Sequence, residues 1–215
     1  MKTKMKMMNN KVILKGIFST DYFNYEYNFN NEAFYSSYFR IDRSSGSADI
    51  VRVILSDKFL SMNVDFNRHV TLIGELRTRN CKDSGKSKLD IYVFVQDICQ
   101  ANDNEYDNVV TLTGYICKTP IIRDTPMGRT ITDVLIAVNR YYNRSDYIPC
   151  IAWSRNARFI KNLQIGTKVS VSGRLQSREY TKQLDDDTYK TFTAYEMSIS
   201  SIEVISEDTG DESNT

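Results

Sequence analysis

The chain contains one histidine, His69, four cysteines, three prolines and one tryptophan in 215 residues. Each scarcity removes a class of function. The cysteines fall at 81, 99, 117 and 150 with no C-x-x-C pair, and His69 is the only nitrogen ligand, so a structural zinc site lacks ligands. A disulfide framework does not suit a chain with 41% hydrophobic residues, so the cysteines are expected to be reduced and mostly buried. A Ser–His or Cys–His nucleophile would have to use His69, which stands at the start of a strand-like run, Val70-Thr71-Leu72. No phosphate-cradling glycine loop occurs. An enzyme is therefore not expected, and neither is a cofactor. No apolar run approaches the ~20 residues of a membrane helix. Lys2, Lys4 and Lys6 precede no apolar segment, so no secretory signal and no membrane partner are expected, and the reading is cytoplasmic. Excess charge of one sign is missing as well: 28 Lys+Arg face 27 Asp+Glu.

What is present is β-rich. Short apolar runs bounded by Gly, Asn, Asp and Ser cover 109–116, 130–138, 148–153, 169–175 and 192–205. Two short helical patches fit 57–63 and 155–163. Asp185, Asp186 and Asp187 read as a polar hairpin tip rather than a metal site. Many short strands with few helices point to barrels or sandwiches.

The chain also repeats itself. Asn10 to Gly16 matches Asn108 to Gly114, and Ile50 to Ser56 falls on Ile148 to Ser154, both at an offset of 98. Val70 to Arg79 falls on Val169 to Arg178 at an offset of 99. That period is too long for a solenoid and implies two similar domains. The expected fold is all-β: two tandem OB-folds, each a five-stranded Greek-key barrel with one short helix. The expected boundaries are a flexible N-terminus at 1–9, a divergent OB-fold at 10–100 and a linker at 101–107. A second OB-fold at 108–206 and a disordered acidic tail at 207–215 follow.

The second half carries an ordered set of motifs: Asn108 to Gly114; Pro120, Arg123, Pro126 and Gly128; Ile136-Ala137-Val138-Asn139-Arg140; Tyr147 to Arg155; and Ala157 with Gly166. Gly173-Arg174-Leu175-Gln176-Ser177-Arg178-Glu179-Tyr180 closes it. Over about 108–205 this resembles the bacterial single-stranded DNA-binding protein family. The first half resembles that family only through its likeness to the second. The resemblance implies sequence-tolerant binding of single-stranded DNA in replication, recombination or repair. It places stacking aromatics at Tyr142, Tyr147, Trp153 and Tyr180, with cations at Arg129, Arg140, Arg144, Arg155, Arg174, Arg178 and Lys182. Such binders stack bases on rings and neutralise phosphates with Arg and Lys. Arg174, Gln176, Arg178 and Tyr180 share strand parity, so they are expected on one face. Trp153 ends an apolar strand and also suits a core position, and which of Tyr141 and Tyr142 stacks is open.

The first half has not kept these rings. The constant offset sets Leu55 against Trp153, Asp49 against Tyr147 and Cys81 against Tyr180. Instead it carries nine aromatics between Tyr22 and Phe39. These have three open roles: stacking bases, packing on another subunit, or filling their own barrel. Four barrels are the usual number in the family, so the resemblance implies a homodimer. It also implies replication or repair partners recruited through an acidic tip, although here the chain closes Glu212-Ser213-Asn214-Thr215 without an apolar end. The rival reading is an OB-fold protein-interaction module, such as a primosomal or plasmid-replication accessory factor; an RNA-binding barrel is a third. Charge divides along the chain: 15 basic and 14 acidic groups in 1–107, 13 and 9 in 108–206, and four acidic groups alone in 207–215.

Overall fold

The computed structural model describes residues 9–83, 86–102, 107–125, 127–185 and 188–206. The first half contains β1 (Asn10–Phe18), β2 (Asn24–Phe29), β3 (Glu32–Asp42), β4 (Ala48–Ser56), α1 (Asp57–Leu60), β5 (Val70–Asp83) and β6 (Lys86–Gln100). The second contains β7 (Asp107–Ile116), β8 (Ile121–Asp124), β9 (Thr130–Asn139), a 3-10 turn (Tyr141–Asn143), β10 (Ser145–Trp153), α2 (Ser154–Ile160), β11 (Lys168–Asp185) and β12 (Thr188–Val204). Both helices are shorter than their patches predicted. Ser56 caps the first, its hydroxyl accepting from Lys58 N–H, and each helix is one side of a bend between two barrel strands.

All twelve strands belong to one continuous sheet, in the order β2-β3-β4-β6-β5-β1-β7-β11-β12-β10-β9-β8. Extra pairings β3–β1 and β7–β9 curl its two ends into two barrels, closed by the parallel pairs β4–β6 and β10–β12. These are the two tandem OB-folds expected. Alternation explains the core. β1 and β7 bury every second residue, among them Val12 and Leu14 in one barrel and Val110 and Leu112 in the other.

The repeat has a structural meaning. β1 pairs antiparallel with β7, setting Asn10 opposite Leu112 and Leu14 opposite Asn108, so the halves are related by a pseudo-two-fold axis between these strands. Each half opens on an asparagine because that side chain ties two strands together. Asn10 donates to Leu76 O at 2.7 Å and accepts from Leu76 N–H at 2.9 Å. Asn108 does the same with Leu175, at 2.7 and 2.8 Å.

A second symmetric pair staples the halves. Asp146 is fully buried and accepts from Thr78 N–H at 2.7 Å, while Tyr147 N–H donates to the Thr78 hydroxyl at 3.1 Å. Asp49, also fully buried, accepts from Ser177 N–H at 2.9 Å, and Ile50 N–H donates to the Ser177 hydroxyl at 3.0 Å. Arg43 pairs with Asp49 as Arg140 pairs with Asp146. Asp49 is therefore the counterpart of Asp146, which corrects the constant-offset alignment by one residue. Ile50, not Asp49, stands at the position of Tyr147, and Ser56, not Leu55, at that of Trp153. The parallel pairings agree, since Val53 opposite Val93 matches Cys150 opposite Met197.

The cysteines depart from expectation. All four are free thiols, but only Cys150 is buried, and burial pushes its thiol pKa up. Cys81 and Cys117 are partly covered, and Cys99 is exposed at the end of β6, past the barrel core.

Candidate nucleic-acid interface

In β10, Asp146, Ile148, Cys150 and Ala152 point into the barrel. Tyr147, Pro149, Ile151 and Trp153 take the other face by alternation, where Ile151 is nonetheless covered. Tyr147 is 49% exposed, whereas Trp153 is partly buried where β10 passes into α2. Six residues at ~3.3 Å each set the two rings about 20 Å apart along the strand. Beside Trp153 runs β12, where Ser200 O accepts from Asn156 of α2 at 2.9 Å. On its other side Trp153 pairs with Ile131 of β9.

β11 carries the other rank. Arg174, Arg178 and Tyr180 are exposed and lie opposite Ser198, Ala194 and Phe192 of β12. Tyr180 stacks on Phe192 with centroids 5.7 Å apart at 25°, and the Arg178 guanidinium lies 5.8 Å from the Tyr180 centroid. The long β11–β12 hairpin therefore projects two rings and a cation from one side. The row is not uniformly open. Gln176 is buried, because its amide donates to Glu196 at 2.8 Å, and Arg178 Nε lies 3.9 Å from the same carboxylate.

The remaining predicted residues distribute as follows. Tyr142 is 96% exposed at the tip of the β9–β10 connection, with φ of 62°, and neighbouring Tyr141 is also exposed. Arg129, Arg144 and Arg155 are exposed. Arg140 departs from the free cation expected, because Asp146 binds it at 3.4 Å as part of the staple between halves. The side chain of Lys182 lies outside the described residues, although its backbone pairs with Lys190. Asp186, Asp187, Pro126, the first eight residues, 103–106 and the acidic tail 207–215 also lie outside the described residues. Arg123, unassigned as a cation, forms a two-point pair with Asp133 at 2.6 and 3.1 Å on the β8–β9 edge. Phe192 and Lys190 were missed as site residues. The signal was available, because an aromatic in the returning strand of a hairpin stands opposite Tyr180.

The first half closes the corresponding face. Tyr27 stacks on Phe34 at 4.9 Å and Phe34 on Phe94 at 5.6 Å, with Arg77 5.9 Å above Phe94. Arg52 and Arg79 each pair with both Glu26 and Asp90, which makes a closed ring of four charges. Burial works against ionising Glu26, but hydrogen bonds from Ser36, Arg52 and Arg79 outweigh it and hold the carboxyl below its ordinary range. A β-bulge between Tyr25 and Tyr27 inserts Glu26, so Tyr25 and Tyr27 fall on opposite faces of β2. Of the aromatic stretch, Phe34 and Phe39 are buried, while Tyr22, Tyr25 and Phe29 stay exposed. Filling its own barrel is thus the role of Phe39, with Phe23 packed beside it, whereas Phe34 belongs to the outer stack.

Residues 107–204 match the Single-strand binding protein family. Among curated proteins, the chain is similar to the "Single-stranded DNA-binding protein A" of Bacillus subtilis (strain 168). The two are 35% identical over 91 residues, which cover 39% of this chain and 53% of that one. It is also similar to the "Single-stranded DNA-binding protein 1" of Staphylococcus aureus (strain COL), 37% identical over 83 residues, 35% of this chain and 50% of that one. The chain spans about half the length of these curated relatives. Among solved structures, it is similar to the wild-type single-stranded DNA binding protein from Thermus aquaticus. The TM-score there is 0.70 at 20% identity, over 92% of this chain and 93% of that one. A deletion mutant of the same protein gives 0.72 at 21% identity, over 94% and 97%. The family match is confined to residues 107–204, whereas the fold likeness covers 92–94% of the chain.

Proposed function

We propose that the chain binds single-stranded DNA without marked sequence preference, and that the second half supplies the principal face. One observation carries this. The outer face of β10, β12 and β11 presents Trp153, Tyr147 and Tyr180 together with exposed Arg174 and Arg178, and Arg155 follows Trp153 in the first turn of α2. Rings for bases beside cations for phosphates are what a sequence-tolerant single-strand binder requires. Arg129 and Arg144 extend the cationic border, and Tyr142 adds an exposed ring at the turn. The division into a divergent first barrel, a linker and a binding second barrel is part of the same reading. So are binding without catalysis and a cytoplasmic place of action. No helix among the described residues is long and apolar enough to cross a membrane.

Replacing Trp153 by Ala tests the face. Oligo(dT) affinity is expected to fall by ~1–3 kcal/mol, with the thermal transition retained because the ring is only partly buried. Unchanged affinity, or loss of the folded state, would make Trp153 a packing residue and remove the face's main ring. The finer proposal is a homodimer that supplies four barrels, with replication or repair proteins as partners. Light scattering is expected to give twice the chain mass of 24.9 kDa. A mass of one or four chains would contradict the dimer.

A further inference from the structure

The β11–β12 hairpin outruns its own barrel. Among the described residues, Leu175 and Met197 are the last buried apolar side chains on its two strands, and they lie opposite each other. Beyond them the strands form a two-stranded ribbon. Tyr180 stands about 17 Å further along, five residues at ~3.3 Å each. An isolated ribbon of this kind is marginally stable in water. The ring and cation assigned to the strand therefore sit on an element that its own barrel does not support.

The first half supplies the support. Cross-strand partners share a face, so the ribbon has two faces. One carries Arg178 and Tyr180 with their partners Ala194 and Phe192; the other carries Ser177, Tyr195, Thr193 and Thr191. The second face turns to the first half. Fully buried Asp49 accepts from Ser177 N–H at 2.9 Å, and Ile50 N–H donates to the Ser177 hydroxyl at 3.0 Å. Opposite Ser177, Tyr195 packs against the hydrophobic core. Thr193 and Thr191 continue this face to the level of Tyr180, and with Tyr195 they line a groove whose far wall is Tyr38, Arg52 and Asp90. Burial, then the nearby Tyr38 and Asp90, push the Tyr195 phenol pKa up.

We propose that the first half is a platform that orders this ribbon before single-stranded DNA arrives, with Asp49 and Tyr195 as positioning residues that do not touch the strand. The inference rests on the single-strand-binding reading and gives the divergent first half its part in it. Fixing the backbone of one residue costs ~1–2 kcal/mol. A ribbon ordered on folding does not incur that cost on binding, so affinity rises without a new contact. Charge also suits a platform rather than a second binding wall. Arg52 and Arg79 are both held by Glu26 and Asp90, so Arg52 is not free to meet a phosphate. The first half's own hairpin is pinned in the same way, with Thr78 on Asp146, but the repeat sets Cys81 where Tyr180 stands. One hairpin thus carries the ring, and the opposite half holds it.

The test uses the full chain, with amide hydrogen exchange on the free protein beside oligo(dT) titrations. Tyr195→Ala is expected to quicken exchange at Arg178 and Tyr180. It is expected to weaken oligo(dT) about tenfold, the equivalent of ordering one backbone residue. The slope of log K against log salt should stay as in the wild type, because no phosphate contact is lost. Tyr195→Phe keeps the packed ring and should restore both exchange and affinity. Tyr38→Ala, on the far wall and 44% exposed, is the second variant should Tyr195→Ala fail to fold, and it should act in the same direction. Suppose the wild-type chain binds while the alanine variants stay within about twofold of it, well short of the ordering cost of one residue. That result overturns the platform and leaves the face of the second half standing, as does unchanged exchange at Arg178 and Tyr180. A shallower salt slope in Tyr195→Ala would make Tyr195 part of the strand's own contact surface and overturn the positioning role. A wild-type chain that does not bind oligo(dT) at low salt overturns the underlying reading instead, and the platform with it.

Discussion

Gly173→Ala is expected to destabilise the protein by about 3 kcal/mol or more, beyond the usual range for overpacking. A Cβ at this position would lie 2.0 Å from Ser198 O, 2.9 Å from Ser198 C and 3.0 Å from Ile199 Cα. All three are backbone atoms of β12, held in the sheet, so no side chain can move aside. The position also stands opposite a bulge in β12, where the register shifts between Ser172 and Gly173 and Ser200 is the extra residue. The same approach occurs at Gly74, where a Cβ would meet Phe94 O at 2.2 Å, and this is why both repeats carry glycine there. Gly46 is the control. A Cβ there would meet nothing within 4 Å, and the φ of 83° alone penalises a side chain. Gly46→Ala should therefore cost only ~1–2 kcal/mol. Denaturant titration of the two variants checks the contrast; equal losses would mean that the close approach of β11 to β12 is not the constraint.

Asp146→Ala is expected to cost about 3 kcal/mol, the lower part of the range for breaking a buried ionic contact. Asp146 is fully buried and holds Thr78 N–H at 2.7 Å, with Arg140 at 3.4 Å and Arg77 at 3.7 Å. Truncation leaves the Thr78 amide without its acceptor and Arg140 without its counter-charge, while Arg77 keeps its nearer partner Glu75. The Arg140 side chain is 31% exposed, so water relieves part of the loss, which keeps the figure low in the range. Because the staple joins the halves, hydrogen exchange should quicken at Thr78 and Tyr147 before it does in either barrel core. Unchanged exchange at Thr78 together with wild-type stability would show that the contact carries no load across the seam.

Much of the fold was legible because repeated residues do repeated backbone work. Asn10 and Asn108 tie strands with the same two hydrogen bonds, and Gly74 and Gly173 admit the same close carbonyl. Those residues stand in both halves, and the offset follows from them. The one-residue error in aligning β4 with β10 arose where the anchor is an aspartate. A buried Asp in a strand reads as a polar outer residue until its partners, Ser177 and Thr78, are known from the opposite half. The same limit applies to Arg140, which looks like a free cation beside Tyr141 and Tyr142. Its partner Asp146 is six residues away, but only burial makes that pair a staple. Alternation correctly set Arg174, Arg178 and Tyr180 on one face, yet it could not show that Glu196 occupies Gln176 and approaches Arg178.

The central claim is that Trp153 lies on the face that receives single-stranded DNA. As the single tryptophan, it reports on that face without interference from another indole. Titrating the full chain with oligo(dT) at low salt, while following tryptophan fluorescence, is expected to give a saturable quench. The midpoint should move to weaker binding as salt rises, with a log–log slope of about −0.7 for each phosphate neutralised. A fluorescence signal that stays flat through the titration, with no binding detected by anisotropy of a labelled oligo(dT) at the same salt, would contradict the account.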